Sequence, residues 1–158
     1  MQYNKKATDW LADLIRPIFC PKDRTKVDYN GIEKLWTYHP RASHRQTILD
    51  IATALDDGAD PNPIPGKSLL AVLCLCPLEG SKELITCIRT AVALGADVKT
   101  PLVYNRVETQ NHMGDGYSIV DSPISGMFQY VSSKEAASRM DALFSQMPDA
   151  DIQSIFCP

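Results

Sequence analysis

Three histidines, five cysteines and nineteen carboxylates are the side chains with chemistry to offer. His39 and His44 stand five apart across Pro40, so they do not share a helix face. His39, directly before that proline, reads as a turn residue, and His112, in a long polar stretch, as solvent-facing. Neither a G-x-S-x-G elbow nor an H-E-x-x-H pair occurs. Gly66-Lys67-Ser68 has the last three residues of a phosphate loop, but that motif needs a glycine at 61, where the chain has Pro61. Asp56, Asp57 and Asp60 fall at a helix C-terminus, where the dipole disfavours carboxylates, so they suit turn formation better than acid–base catalysis. They also lack calcium-loop spacing. Cys74 and Cys76 are separated by one residue, too close for a zinc knuckle, and no Cys/His pair elsewhere completes four ligands. The expectation is a chain without catalytic residues, metal or cofactor.

One pattern stands apart. Three of the five cysteines precede proline: Cys20-Pro21, Cys76-Pro77 and Cys157-Pro158. Chance placement of five cysteines and eleven prolines in 158 residues gives about 0.35 such pairs. A cysteine-proline pair resembles the haem-regulatory motif, in which a thiolate ligates iron while proline turns the chain away. Cys20, Cys76 and Cys157 are therefore alternative haem ligands of a haem- or redox-responsive sensor. The competing reading is that proline ends helices whose last buried residue is cysteine, a residue fond of interiors.

The elements that position these residues belong to one soluble domain. The length suffices for a real core, and 44% apolar and 22% charged residues are ordinary for a globular chain. A net charge of −3, with both signs interspersed, gives no footprint for nucleic acid and is too small to choose a partner by sign. The longest apolar run, residues 68–78, is far shorter than the ~20 residues that span a bilayer. At the N-terminus Asp9, Asp13 and Arg16 interrupt the apolar stretch, so no signal peptide is expected. An odd number of cysteines in a chain of this size points to reduced thiols in the cytoplasm. Export by a signal-independent route, or action inside a host cell, stays open.

Helical periodicity runs almost throughout. Trp10, Leu11, Leu14, Ile15 and Ile18 share a face near the N-terminus, and residues 31–40 give a short helix with Ile32, Leu35 and Trp36 inward. Ser43 then caps a helix with Ile48, Ile51, Ala52 and Leu55 on one stripe, closed by Gly58. A short apolar helix over 66–76 follows. Ser81 next caps a longer one, with Leu84, Ile85, Ile88 and Val92 inward, closed by Gly95. Each long helix is followed by Gly-Ala-Asp, at 58–60 and 95–97, a spacing of 37 residues. A helix pair leaves one apolar face uncovered, so recurring pairs must stack.

In these residues the chain resembles the ankyrin repeat. That family repeats at about 33 residues, with Thr-Pro-Leu-His opening the first helix and Gly-Ala-Asp following the second. Ser68 and Leu70 stand in the threonine and leucine places, whereas Leu69 and Ala71 depart from the proline and histidine. A third copy reads from Ser122-Pro123-Ile124-Ser125 to Asp149-Ala150-Asp151. The resemblance implies an all-α, ankyrin-like solenoid of stacked helix-turn-helix pairs with capping helices and one long β-hairpin-like insertion. Residues 1–29 form the N-terminal cap. Residues 30–62, 63–99 and 121–152 form repeats, 100–120 an extended finger and 153–158 a C-terminal cap.

Such stacks bind partners through hairpin tips and a concave helix face. The expected contacts are Asn62 and Ile64 on the first tip, and Tyr104, Asn105, Arg106, Glu108, Asn111, His112 and Tyr117 on the finger. The function this implies is non-catalytic recognition of another protein, as an inhibitor, an adaptor or a neutraliser of a toxin. A bacterial immunity protein or a secreted bacterial or viral effector would each fit. A small enzyme with an unfamiliar site is the remaining class.

Overall fold

The computed structural model describes residues 2–19, 41–99, 102–107, 115–120, 131–149 and 152–153. Among them the chain is predominantly helical, with five helices and one two-stranded ribbon.

Helix α1 (Lys5–Phe19) starts where Asn4 Oδ1 accepts from the N–H groups of Lys6 and Ala7, at 3.0 and 3.3 Å. Its inward stripe is Ala7, Leu11, Ile15 and Ile18, at helical spacing. Trp10 does not belong to it. Lying about 100° round the helix from Leu11, it is 38% exposed, contrary to the inward place given it by sequence.

Helix α2 (Arg41–Asp56) buries His44, Thr47, Ile48, Ile51, Ala54 and Leu55. It already runs at Ser43, so that residue is inside the helix rather than before it. Arg41 and Ala42 are good helix formers and extend it toward the N-terminus. The short helix expected over 31–40 lies outside the described residues.

Helix α3 (Leu69–Cys74) is buried on every side, which places it between other helices. Ser68 caps it by accepting from Ala71 N–H at 3.0 Å. Helix α4 (Lys82–Ala93) is capped by Ser81, which accepts from Leu84 N–H at 3.1 Å, and buries Leu84, Cys87, Ile88, Ala91 and Val92. Ile85 is only half-buried. Strands β1 (Leu102–Val107) and β2 (Asp115–Val120) pair antiparallel, with Leu102 opposite Val120 and Val107 opposite Asp115. Helix α5 (Ser133–Phe144) follows the cap Ser132 and buries Glu135, Ala136, Arg139, Ala142 and Leu143.

Helix α2 packs between α1 and α4, and α4 between α2 and α5; α3 packs on α4 and touches α1. The unbroken buried run Leu69–Cys76 is the middle of the core. Asn4 N–H donates to Gly58 O at 2.8 Å, so the start of α1 meets the end of α2 and the two helices run in opposite directions.

Candidate functional site: two matching turns and a groove between α4 and α5

The two Gly-Ala-Asp turns are the same structure at a spacing of 37 residues. Gly58 and Gly95 have φ of +95° and +99°, where glycine carries no Cβ penalty. Gly58 N–H donates to Leu55 O and Ala59 N–H to Ala54 O, at 3.1 and 3.0 Å. The counterparts, Gly95 to Val92 and Ala96 to Ala91, are 3.0 and 2.9 Å. Both pairs are the double bond of a Schellman helix end. The aspartates then act alike: Asp60 Oδ1 accepts from Asn62 N–H at 2.9 Å, and Asp97 Oδ1 from Lys99 N–H at 2.8 Å.

Asn62 joins the two turns. Its Nδ2 donates to Gly95 O at 3.1 Å and its Oδ1 accepts from Asp97 N–H at 2.8 Å. Asn4 Nδ2 does the comparable work on the first turn, donating to Asp57 O at 3.1 Å, while Thr8 Oγ1 accepts from Asp60 N–H at 2.8 Å. Asn62 is thus exposed but committed to positioning the second turn. Ile64, the other residue expected on this tip, is half-buried and packs on the core.

On the ribbon, Tyr104, Asn105 and Arg106 lie on β1 and Tyr117 on β2, with Asn105 directly opposite Tyr117. Glu108, Asn111 and His112 lie outside the described residues, as do Cys20 and Cys157. Cys76 is fully buried; burial pushes its thiol up to about 11, against a smaller opposing pull from the Leu78 backbone and Arg139. A thiol held this firmly in its neutral form, away from solvent, is poorly suited to bind iron. Cys74 and Cys87 are likewise buried, with thiols pushed up to about 12 by burial. Among the described residues no group of three or more His, Cys, Asp or Glu is placed to hold a metal ion. Nor is any helix among them long and apolar enough to cross a membrane.

Arg139 carries a role that no sequence signal marked. It is fully buried, donates through Nε to Glu135 Oε1 at 3.1 Å, and through Nη1 to the carbonyls of Cys74 and Cys76 at 2.8 and 2.7 Å. Nη2 donates to Leu78 O. One guanidinium therefore satisfies the carbonyls left over where α3 ends. The only hint in the sequence is the four-residue spacing of Glu135 and Arg139, which on most helices marks a solvated pair.

The same region exchanges caps between helices. Glu135 Oε2 accepts from Gly80 N–H at 3.1 Å, and Glu79 Oε1 accepts from Ser132 N–H at 2.6 Å. Glu135, on α5, thus serves the residue before the α4 cap, and Glu79, just ahead of α4, serves the cap residue of α5. Beside this joint opens a groove of about 420 Å³ between α4 and α5, lined by Lys82, Ile85, Thr86, Arg89, Glu135 and Ser138 together with Gly80 and Ser81.

No protein-family model, curated protein or solved structure matches the chain.

Proposed function

We propose that the chain is a short ankyrin-like stack that binds another protein, and thereby modulates or neutralises it, with no catalysis of its own. The observation that carries this reading is the recurrence of one helix-end hydrogen-bond set around Gly58 and Gly95, bridged by Asn62. A repeated join of this kind belongs to stacked units whose exposed faces differ while their contacts recur. In this reading α1–α2 and α3–α4 are the first two helix pairs, because the start of α1 is bonded to the end of α2. The first pair then begins at α1, ahead of residue 30. Helix α5 is the second helix of a third pair, and the β1–β2 ribbon is an enlarged loop between pairs two and three. Buried free thiols at Cys74, Cys76 and Cys87 suit work in the reducing cytoplasm.

The ribbon residues Tyr104, Asn105, Arg106 and Tyr117 supply the aromatic and arginine types that anchor interfaces. The test is capture from native host lysate by the tagged full chain and by a variant lacking residues 104–117, followed by calorimetry with the purified captured protein. One-to-one binding that disappears with the deletion supports both the reading and the ribbon's part in it. Retention by the variant removes the ribbon from the interface. A chain that captures no protein in near-stoichiometric amount overturns the reading.

A further inference from the structure

The groove between α4 and α5 carries two cations, Lys82 and Arg89, and one acid, Glu135, in a chain whose net charge is negative. Lys82, Ile85, Thr86 and Arg89 fall at i, i+3, i+4 and i+7, so they form one stripe along two turns of α4. Lys82, Thr86 and Arg89 are exposed, and neither cation has an ion-pair partner among the described residues. Glu135 is the acid on the opposite wall, but its Oε1 is bound to Arg139 and its Oε2 to Gly80 N–H. Its charge is spent inside the joint and does not neutralise the cations at the groove.

We propose that this groove receives an acidic, extended segment of the partner protein. The inference rests on the binding-module reading and names the chemistry of what that module binds. Seven residues of α-helix at 1.5 Å each put the Lys82 and Arg89 positions about 10 Å apart along the axis. A chain extended as polyproline II advances about 3.1 Å per residue and brings every third side chain to the same face, so carboxylates three residues apart match the two cations. The half-buried Ile85 between them takes an apolar side chain, and the Thr86 and Ser138 hydroxyls are placed for backbone groups of the segment. About 420 Å³ falls in the roughly 300–1,000 Å³ range of small-ligand clefts, room for a short stretch of peptide rather than a domain.

The experiment uses a fluorescent hexapeptide with two glutamates three residues apart and a leucine between them, titrated into the full chain by anisotropy at low and physiological salt. The expected result is binding that weakens with salt and falls at least tenfold in Lys82→Glu and in Arg89→Glu. A Lys6→Glu control on α1 should leave it unchanged. Replacing the leucine by glycine should weaken it several-fold. No binding by the wild-type chain, or equal binding by the reversal variants, overturns the proposal. So does a single-stranded oligonucleotide that binds more tightly through the same two residues. Lysate capture separates the two levels: a partner kept by both reversal variants overturns the groove and leaves the binding module standing. If the wild-type chain captures nothing, the binding-module reading falls, and the peptide titration decides the groove by itself.

Discussion

At the scale of the residue, Arg139 is the most consequential side chain. A charge removed from water is tolerated only when its hydrogen bonds are met, and here Glu135 and three carbonyls meet them. Arg139→Met leaves those carbonyls and the Glu135 carboxylate unmatched, and should cost about 3–5 kcal/mol in urea unfolding. Glu135→Leu added to it should cost less than the two single changes summed, because the second removes a group the first has orphaned. The buried thiols give a pH prediction of definite sign. Unfolded cysteines ionise near 9.0, whereas Cys74, Cys76 and Cys87 keep their protons to about 11–12 when folded. The unfolded chain releases protons first, so this contribution to stability is complete below about pH 9 and is lost as pH rises toward 12. Urea midpoints should hold between pH 7 and 8 and fall above 9. At least three of the five thiols should show ultraviolet thiolate absorbance only as the chain unfolds.

At the scale of the element, the Gly-Ala-Asp turn is the unit that repeats. A Cβ at Gly58 would meet Asn4 Cβ at 3.5 Å, and one at Gly95 only the Tyr3 hydroxyl at 4.0 Å. Space is adequate at both, so the cost of alanine is conformational. Gly58→Ala and Gly95→Ala should each lose about 1–2 kcal/mol by thermal or urea unfolding, the cost of a left-handed residue with a Cβ. Equal losses fit one turn used twice. A loss at one site alone would mean that the matching bonds serve different ends. These turns were legible in the sequence because their causes are local: glycine for positive φ, aspartate for the N–H two residues on. The cap Ser81 was legible for the same reason, accepting from the third residue after it, whereas Ser68, read inside a helix over 66–76, proved to be the cap of a helix that starts at Leu69.

At the scale of the whole molecule, stability should grade inward. Helix α3 is buried on all sides and α4 is shared by α2, α3 and α5, whereas α1 carries an exposed Trp10 and two solvent-exposed ion pairs. Native-state hydrogen exchange should find the slowest amides in α3 and in the middle of α4, with faster exchange in α1. The reverse order, with α1 slowest, would place the stable centre away from the buried α3 and count against the proposed nearest-neighbour stacking.

Periodicity, caps and the doubled Gly-Ala-Asp marked in the sequence where helices run and how two of them end, because each depends on residues within a turn or two of one another. Local signals could not say which helix partners which. The bond from Asn4 to Gly58 spans 54 residues, and only the folded chain brings α1 against α2. The same holds for Arg139, whose carbonyl acceptors lie 61 to 65 residues earlier. A four-residue Glu–Arg spacing looks alike in sequence whether water or a core surrounds it. The tertiary structure decided that Glu135 turns its charge inward while Lys82 and Arg89 keep theirs at the groove. Burial and long-range pairing depend on the whole packed chain, and no short window of residues encodes them.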